Sequence, residues 1–293
     1  MPSPRRDVIE TWSDPRWLAE AHAWIRGVVE PAGPIEQPHV RPWSTVLRVP
    51  TSDGDLFFKA NAPDFAHEAV LVERLAPLAP DLLPELVAVD RDRGWFLLRD
   101  AGERVRELAD AAPWESVLPR YADLQAAAAP LAEELVAAGI PDRRLALLPG
   151  LYESLGGDRH VVEELCAELA PFALPETAQH DDLHDAQMFV HGGNVRILDW
   201  GDACVGHPLA TLGVTGQFAD DAAVGAYLGR WGDRAALRRA VPVARRLAGV
   251  SRALTSAAVA AIAPPDWDER FAPELTMWMQ RVATPPELWD GEF

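Results

Sequence analysis

Long apolar runs, cysteine and lysine are all scarce in this sequence of 293 residues. Its two cysteines, Cys166 and Cys204, are too few for a disulfide framework or for a thiolate zinc site. No segment approaches the roughly 18 consecutive apolar residues that indicate a membrane-spanning helix, and the first residues lack the apolar region of a secretory signal. We therefore expect a cytoplasmic protein without a membrane partner.

Basic residues are also fewer than acidic ones. The chain has 27 basic and 45 acidic residues, which gives a formal net charge of -18 at pH 7. A surface of this sign repels the phosphate backbone of nucleic acids and the head groups of anionic lipids, and it attracts cations. The composition therefore argues against a nucleic-acid partner.

Lys59 is the single lysine of the chain, and all the other basic residues are arginines. An ammonium group is a compact charge on a flexible stem, whereas a guanidinium group is a rigid planar fork. A lysine kept where arginine is otherwise used suggests a role that needs the ammonium group. On composition alone, chance explains it equally well.

The first hundred residues alternate between helical and strand-like patterns. Ser13, Asp14 and Pro15 form a helix start, with Ser13 as the cap. A second helix is predicted to begin with Asp64 as its cap. The same region contains two predicted hairpins, with strands over 45–49 and 56–58 and over 86–89 and 95–98. Together these elements describe a small α+β unit.

Beyond Gly102 the pattern becomes mainly helical. The predicted helices cover 114–138, 151–169, 222–231, 235–261 and 273–282. A short β island interrupts them, with strands predicted over 188–191 and 195–198 on either side of Gly192 and Gly193. Gly102 is the best boundary between the two parts, and it predicts a hinge instead of a long linker.

The densest group of polar residues precedes this β island. Three carboxylates and two imidazoles lie within residues 180–185, and such a cluster is either solvated or binds a ligand. The hairpin that follows would bring the amide oxygen of Gln187 close to the carboxylate of Asp199. Oxygen ligands that are completed by substrate phosphates are what Mg²⁺ prefers. The cluster therefore predicts a magnesium site, with a solvated surface as the simpler alternative.

The pattern His-x-Asp-x-x-x-x-Gln over residues 180–187, followed twelve residues later by Asp-Trp-Gly, resembles the catalytic region of the aminoglycoside phosphotransferase family. Upstream, Lys59 ends a predicted strand and Glu68 lies in the predicted helix that follows, in the order shown by this family. The resemblance implies a bilobal, protein-kinase-like α+β fold with a small sheet-plus-helix lobe and a mainly helical lobe. It places these lobes at 1–98 and 104–293, with a hinge at 99–103.

The resemblance also implies roles for the matching residues. Asp182 would be the catalytic carboxylate, which orients the acceptor hydroxyl or accepts its proton. Asp199 and Gln187 would hold Mg²⁺, although the family usually has asparagine instead of Gln187. His180 would support the catalytic loop, and Asp181 replaces a glycine that is usual in the family. The implied activity is transfer of the γ-phosphate of ATP, with GTP as the alternative donor, to a hydroxyl of a small molecule.

The implied nucleotide contacts come from the N-terminal lobe and the hinge. Lys59 would contact the α- and β-phosphates while Glu68 holds it in place. The backbone of Arg99, Asp100 and Ala101 would hydrogen-bond to the edge of the adenine ring.

The segment 38–44, which would lie over the phosphates, contains no glycine. Glycine lets a backbone approach phosphate groups closely, so backbone cradling is in doubt here. Ser44 is the expected substitute, together with Thr45 or Arg41.

Tryptophans and carboxylates are concentrated in the last part of the chain, where the acceptor binds in this family. Trp267, Trp278 and Trp289 lie there. The acidic residues around them are Asp266, Asp268, Glu269, Glu274, Glu287 and Asp290. Aromatic faces and carboxylates suit a cationic alcohol such as an aminoglycoside or an amino sugar. A solvated acidic surface over a packed helix is the simpler alternative.

Two other functions remain open. Gln187 and the glycine-free segment also suit a pseudokinase, which would bind nucleotide without transferring phosphate. The side chains of His180, Asp182, His184 and Asp185 could instead bind a transition metal, as in a His/Asp phosphohydrolase. Such sites lie on helices, whereas this cluster precedes a strand. The oligomeric state is left open.

Overall fold

An antiparallel sheet of five strands occupies most of the first hundred residues. The computed structural model describes residues 8–108 and 112–289, and for Val8 and residues 265–272 it describes the backbone alone. The strands are β1 (Glu36–Val40), β2 (Ser44–Thr51), β3 (Gly54–Asn61), β4 (Leu86–Asp90) and β5 (Trp95–Arg99). Their spatial order is β1-β2-β3-β5-β4, and each neighbouring pair is antiparallel. Both hairpins predicted from the sequence are confirmed.

Helices cover both faces of this sheet. They are α1 (Val8–Ser13), α2 (Pro15–Val28) and α3 (His67–Leu75). Ile25 of α2 is buried on one face, in a core with Phe58 and Trp95. Leu71 of α3 is buried in the core on the other face with Phe96. Because successive residues of a strand point to opposite faces, Trp95 and Phe96 mark the two sides.

The helix caps differ from those predicted. Ser13 is the last residue of α1, and Asp14 caps α2 by accepting a hydrogen bond from the Arg16 amide at 2.8 Å. Asp64 does not cap α3, because it lies in a single 3₁₀ turn and α3 begins at His67. At α2 two neighbouring polar residues could serve as the cap, whereas α3 begins after Ala66 without any side-chain cap.

The segment 38–44, expected as a loop over the phosphates, consists of the end of β1, a short turn and the first residue of β2. Pro38 lies within β1, which is tolerated because β1 is the edge strand of the sheet. Only residues 41–43 remain for the turn into β2, and the Arg41 amide donates to the Ser44 carbonyl at 2.8 Å. The segment is therefore shorter and more ordered than the sequence indicated.

The rest of the chain is mainly helical. Its helices are α4 (Trp114–Ala128), α5 (Ala132–Ala137), α6 (Leu148–Ser154), α7 (Arg159–Leu169), α8 (Asp221–Trp231), α9 (Arg234–Ile262) and α10 (Pro265–Ala283). Two predicted helices are each divided, the first at the 3₁₀ turn that contains Pro130 and the second at Gly156 and Gly157. Within the described ranges, no helix is long and apolar enough to cross a membrane.

Two small sheets accompany these helices. Their strands are β6 (Glu103–Arg104), β7 (Asp142–Arg143), β8 (Thr177–Gln179), β9 (Met188–His191), β10 (Asn194–Ile197) and β11 (Cys204–Gly206). The spatial orders are β10-β9-β6 and β7-β11-β8. One apolar core joins Phe96 of the first part to Ile197 and Trp200 of the second. The bilobal α+β architecture is thereby confirmed, while the lobe boundaries at 98 and 104 stay a prediction.

Gly102 lies directly against the backbone of β9. Its φ is +91°, and a Cβ atom there would lie 2.0 Å from the carbonyl oxygen of Val190. Replacing Gly102 by alanine is expected to lower the free energy of unfolding by about 2–5 kcal/mol, because a backbone clash is added to left-handed strain. Urea unfolding followed by circular dichroism measures this loss.

Gly139→Ala is the matched control. Gly139 has a similar φ of +96°, but no atom lies within 4 Å of the added Cβ. Only the conformational strain of about 1–2 kcal/mol is therefore expected. Equal losses in the two variants would show that the contact with β9 contributes nothing.

Candidate active site

Lys59 forms the centre of an ionic group in the cleft. Its Nζ atom lies 2.7 Å from Oε2 of Glu68 on α3 and 2.6 Å from Oδ1 of Asp199, which follows β10. Asp199 is 140 residues away along the chain, so the fold assembles the group. Burial disfavours the charge of Lys59, but Asp199 and Glu68 outweigh it and raise the pKa of the ammonium group. Lys59 is therefore positively charged.

Glu68 is 1% exposed, and its carboxylate is held by three donors. Besides Lys59, the Asn61 side-chain amide donates to Oε2 at 2.7 Å, and the Trp200 backbone amide donates to Oε1 at 2.9 Å. Burial raises the pKa of Glu68, and Lys59 opposes this shift. Glu68 thus ties α3 to the segment that carries Asp199.

His180 supports the Asp199 segment from inside the protein. Its Nε2 lies 2.8 Å from the carbonyl oxygen of Leu198, and its ring packs 4.8 Å from that of Trp200. Burial lowers the pKa of His180 to about 4. The imidazole is therefore neutral at pH 7, and its Nε2 carries the proton because a carbonyl only accepts. This geometry agrees with the supporting role predicted for His180.

Asp182 has partners on both carboxylate oxygens. Oδ1 lies 3.2 Å from the guanidinium of Arg252 on α9, and Oδ2 lies 3.5 Å from Nε2 of His184. Burial would raise the pKa of Asp182, but Arg252 and His184 outweigh it and lower the pKa to about 2. Asp182 is therefore ionised at neutral pH and is a weak base.

Asp181 has a left-handed backbone with a φ of +67°. Such a conformation favours glycine, and aspartate is among the few other residues that adopt it. The Asp181 side chain is buried and accepts a hydrogen bond from the Ser251 hydroxyl at 2.8 Å. The replacement of the usual glycine thus keeps the loop conformation and attaches the loop to α9.

Arg252 is the residue of this site that no sequence motif indicated. Besides Asp182, its guanidinium binds Oδ2 of Asp202 at 2.5 Å. Burial raises the pKa of Asp202 to about 7, with Arg252 opposing and Asp182 adding to the shift. Arg252 follows Asp202 by 50 residues within a long arginine-rich helix. Nothing in the local sequence distinguishes it from its neighbours.

A cavity of about 190 Å³ brings Asp182, Gln187 and Asp199 together, as predicted. Gln187 and Asp199 supply an amide oxygen and a carboxylate, which are the hard ligands that Mg²⁺ prefers. Among residues 8–108 and 112–289, no three His, Cys, Asp or Glu side chains are grouped as metal ligands. Mg²⁺ commonly takes one or two protein oxygens and completes its shell with phosphates and water. The residues present fit this ion.

The residues expected at the adenine edge lie at the end of β5. The Arg99 amide donates to the Glu85 carbonyl at 2.9 Å, and the Asp100 amide donates to the Asp55 carbonyl at 3.2 Å. Both N–H groups are thus engaged within the protein. Ala101, 4% exposed, follows them, and its contact with adenine stays a prediction.

The hydroxyl residues at the start of β2 are both buried. Ser44 pairs with Asn61 across the β2–β3 ladder, and its contact with phosphate stays a prediction. The Thr45 hydroxyl donates to the His39 carbonyl at 2.8 Å and accepts from the Gln37 side-chain amide at 2.9 Å. Thr45 therefore holds β1 in place.

Arginine side chains contact the tryptophans that were expected to bind a cationic acceptor. The Arg281 guanidinium lies 4.9 Å from the ring centres of both Trp278 and Trp289, and Arg245 lies 4.9 Å from Trp289. Trp278 is only 1% exposed. These rings make their cation–π contacts within the chain. Outside the described side chains lie Asp266, Trp267, Asp268, Glu269 and Asp290.

A second cavity, of about 200 Å³, also adjoins Asp182. Its lining combines Arg106, His184 and Phe218 with Glu274 of α10, and Glu274 lines the first cavity as well. Burial raises the pKa of Glu274, and Arg252 opposes the shift. A cavity with both charge signs and an aromatic ring suits a small polar molecule.

The chain belongs to the Phosphotransferase enzyme family, whose sequence profile matches residues 56–247. This match covers more than half of the chain and includes Lys59, Glu68, Asp182 and Asp199. It defines a small-molecule kinase, as the resemblance implied. Arg252 lies just beyond the matched residues. No curated protein matches the chain significantly by sequence.

Several solved structures share this protein-kinase-like fold. A choline/ethanolamine kinase family protein from Mesorhizobium loti is 20% identical, with a TM-score of 0.63 over 92% of this chain and 96% of its own. Plasmodium vivax ethanolamine kinase is 9% identical, with a TM-score of 0.64 over 86% and 82%. The GDP complex of a mutant aminoglycoside 2′-phosphotransferase-IIIa is 14% identical, with a TM-score of 0.60 over 91% and 97%. These low identities show the fold alone.

Proposed function

We propose that this protein is an ATP- and Mg²⁺-dependent O-phosphotransferase that moves the γ-phosphoryl group to a hydroxyl of a small molecule. One observation carries the proposal: Lys59 contacts both Glu68 and Asp199 beside a cavity that also contains Asp182. A fixed ammonium next to a metal-type carboxylate suits a polyphosphate ligand. GTP is the alternative donor, since one of the solved structures with the same fold is a complex with GDP.

The chain's own residues act mainly by position and charge. Lys59 would bind the donor phosphates, with Glu68 fixing its side chain. Asp182 would accept a hydrogen bond from the acceptor hydroxyl and direct its oxygen toward the γ-phosphorus. A carboxylate with a pKa of about 2 orients better than it deprotonates, which suits a loose transition state in which the nucleophile needs little activation.

Gln187 and Asp199 would hold the magnesium ion. When bound, Mg²⁺ neutralises negative charge on the donor phosphates. Asp199 uses Oδ1 in its contact with Lys59, so its other oxygen would be available to a metal ion.

The acceptor that we propose is an alcohol that carries an amine, such as an aminoglycoside or an amino sugar. The net charge of -18 attracts cations toward the protein, and Glu274 provides a carboxylate in both cavities beside Asp182. Since Trp278 and Trp289 already contact arginines, ion pairing would contribute more to recognition than stacking on these rings.

Calorimetric titration of a non-hydrolysable ATP analogue tests the donor site. Wild-type protein is expected to bind the analogue in a Mg²⁺-dependent manner, and Asp199→Asn should lose this dependence because it removes a metal ligand. Surface variant Asp221→Asn, which alters an exposed carboxylate paired with Arg238, is the control. No binding by wild type at millimolar nucleotide would reject the proposal.

Gln187→Asn restores the residue that is usual in the family. If Gln187 binds the metal, the variant is expected to keep or raise kcat, because the amide oxygen remains on an arm shorter by one methylene. Steady-state kinetics at varied Mg²⁺ concentration measures this effect. A complete loss of turnover would show that the site is built around the longer side chain.

A pseudokinase is the second candidate function. It is favoured by the tight turn at 41–43, which contains no glycine and closes through the bond from Arg41 to Ser44. Nucleotide binding without any phosphoryl transfer would support this function. A His/Asp phosphohydrolase is less compatible with the site, because both histidine rings already contact the backbone. The His180 ring contacts the carbonyl oxygen of Leu198, and the His184 ring contacts the amide of Ala186.

A further inference from the structure

The two cavities beside Asp182 meet at three shared residues. Asp182, Arg252 and Glu274 line both the cavity with Gln187 and Asp199 and the cavity with Arg106 and His184. Under the proposed function, the first cavity would face the donor phosphates and the second the acceptor. The shared residues therefore lie where the phosphoryl group would pass from donor to acceptor.

Arg252 is firmly held at this junction. It is 8% exposed, and two of its guanidinium nitrogens bind carboxylates, at 2.5 Å from Asp202 and 3.2 Å from Asp182. The guanidinium also lies 5.9 Å from the ring centre of Trp278. These contacts come from three separate parts of the chain, so the charge is fixed before any ligand binds.

The hydrogen-bonding capacity of Arg252 is not exhausted by these contacts. A guanidinium has five N–H donors, and Nε of Arg252 is buried without an acceptor in the described part of the chain. Nε itself is closed off from the cavities, but each terminal nitrogen has a second N–H beyond the one that binds a carboxylate. The first cavity is also strongly acidic, since Asp182, Asp199, Asp202 and Glu274 line it. Among its described lining residues, Arg252 carries the single positive charge.

We propose that Arg252 is a further catalytic residue, which contacts the phosphoryl group during transfer and neutralises charge on its oxygens. The inference rests on the proposed function. In the step, the bond from the γ-phosphorus to the bridging oxygen of ADP breaks as the acceptor oxygen bonds to the same phosphorus. The hydroxyl proton passes by way of Asp182 to water. Arg252 keeps its own proton and supplies a fixed charge.

Arginine suits this role better than lysine. Its planar fork can hold Asp182 and Asp202 and still present N–H groups to phosphate oxygens, whereas an ammonium is a single point of charge. Because the guanidinium is already fixed, little reorganisation is needed as charge develops on the phosphoryl oxygens. A purely structural ion pair would stabilise the fold equally but would not favour the transition state.

The test compares the binding of ADP·Mg²⁺ with and without aluminium fluoride, which imitates the phosphoryl group in transit. In wild-type protein, fluoride is expected to tighten ADP binding by at least about 10²-fold, as transition-state analogues do. Without aluminium fluoride, Arg252→Lys should bind ADP as tightly as wild-type protein. With aluminium fluoride, it should lose most of the increase in ADP affinity that wild-type protein shows. Its kcat should fall by about 10²–10³-fold, the usual cost of one preorganised donor.

Arg144→Ala is the matched control. Arg144 also binds two carboxylates, Asp142 and Glu133, but it lies outside both cavities. The control should change the melting temperature and keep the fluoride-dependent gain. For Arg252→Ala, added guanidinium should restore part of the gain. If that variant does not fold, Arg252→Lys alone decides the test.

The outcomes separate the two proposals. If aluminium fluoride tightens ADP binding as much in Arg252→Lys as in wild-type protein, the role of Arg252 is overturned. The phosphotransferase function would be unaffected by that result. Wild-type protein that fails to bind ADP·Mg²⁺ would overturn the proposed function itself. Wild-type protein could also bind ADP equally well with and without aluminium fluoride. This result would exclude a transfer site at this junction and hence the role of Arg252.

Discussion

Asp182→Asn is expected to lower kcat by about 10²–10⁴-fold, the range lost when a positioned acid–base group is removed. The asparagine would have nearly the same size, but it would lose the negative charge that attracts the acceptor hydroxyl, and its NH₂ group would face an N–H donor of either Arg252 or His184. The affinity for nucleotide should stay close to that of wild type, because Lys59 and Asp199 are unchanged. Steady-state kinetics and calorimetry together measure this separation of turnover from binding.

Asp123→Asn is the control for this substitution. Asp123 is an exposed carboxylate that pairs with Arg230 at 2.9 Å, and it lines neither cavity beside Asp182. Its replacement removes the same charge and should leave kcat unchanged. Undiminished turnover in Asp182→Asn would remove Asp182 from the mechanism.

Lys59→Ala is expected to have the largest effect on stability as well as on nucleotide affinity. The substitution leaves the buried carboxylate of Glu68 without its main counter-charge, and breaking a buried pair in this way typically costs about 3–5 kcal/mol. The donor phosphates also lose their ammonium contact. Urea unfolding and nucleotide calorimetry measure the two effects. Nucleotide affinity equal to that of wild type would contradict the role of Lys59.

The stability loss in Lys59→Ala should depend on pH. Burial raises the pKa of Glu68 even in the presence of Lys59, which opposes the shift, and removal of Lys59 raises it further. A carboxyl whose pKa is higher in the folded than in the unfolded state destabilises the fold at high pH, and protonation relieves this penalty as the pH falls. The difference in unfolding free energy from wild type should therefore shrink between pH 8 and pH 5.

A second substitution separates the buried charge from other effects. Adding Glu68→Gln to Lys59→Ala should recover part of the lost stability, because an amide carries no charge that needs a partner. Arg48→Ala, which breaks a partly exposed pair with Asp55, should have little effect at either pH. If the double variant were no more stable than Lys59→Ala, burial of unpaired charge would not explain the loss.

The site residues that could be predicted from the sequence are those that lie a short distance apart along the chain. Asp182, Gln187 and Asp199 lie on either side of one hairpin, and the pairing of β9 with β10 brings their elements together. Lys59 and Glu68 lie on an adjacent strand and helix, which keeps them close in space. In each case local geometry turns a spacing along the chain into a contact.

The residues that were missed depend on long-range packing. Arg252 reaches Asp182 and Asp202 because α9 packs against the loop that carries Asp182. No local pattern distinguishes one arginine of that helix from another. Strand β1 was missed because Pro38 disfavours a central strand, while edge position depends on the whole sheet. The tryptophans near the C-terminal end were predicted to bind a cationic acceptor, but the structure shows arginines at the faces of Trp278 and Trp289.

The most direct test of the central claim is phosphorus NMR of wild-type protein with ATP and Mg²⁺ in the presence of hydroxylated amines. The expected result is loss of the γ-phosphate signal of ATP together with a new phosphomonoester signal that depends on the acceptor. The same mixture with Asp182→Asn should show almost no change over the same time. An unchanged ATP spectrum with every acceptor, or inorganic phosphate as the sole product at equal rates in both proteins, would contradict the assignment as a phosphotransferase.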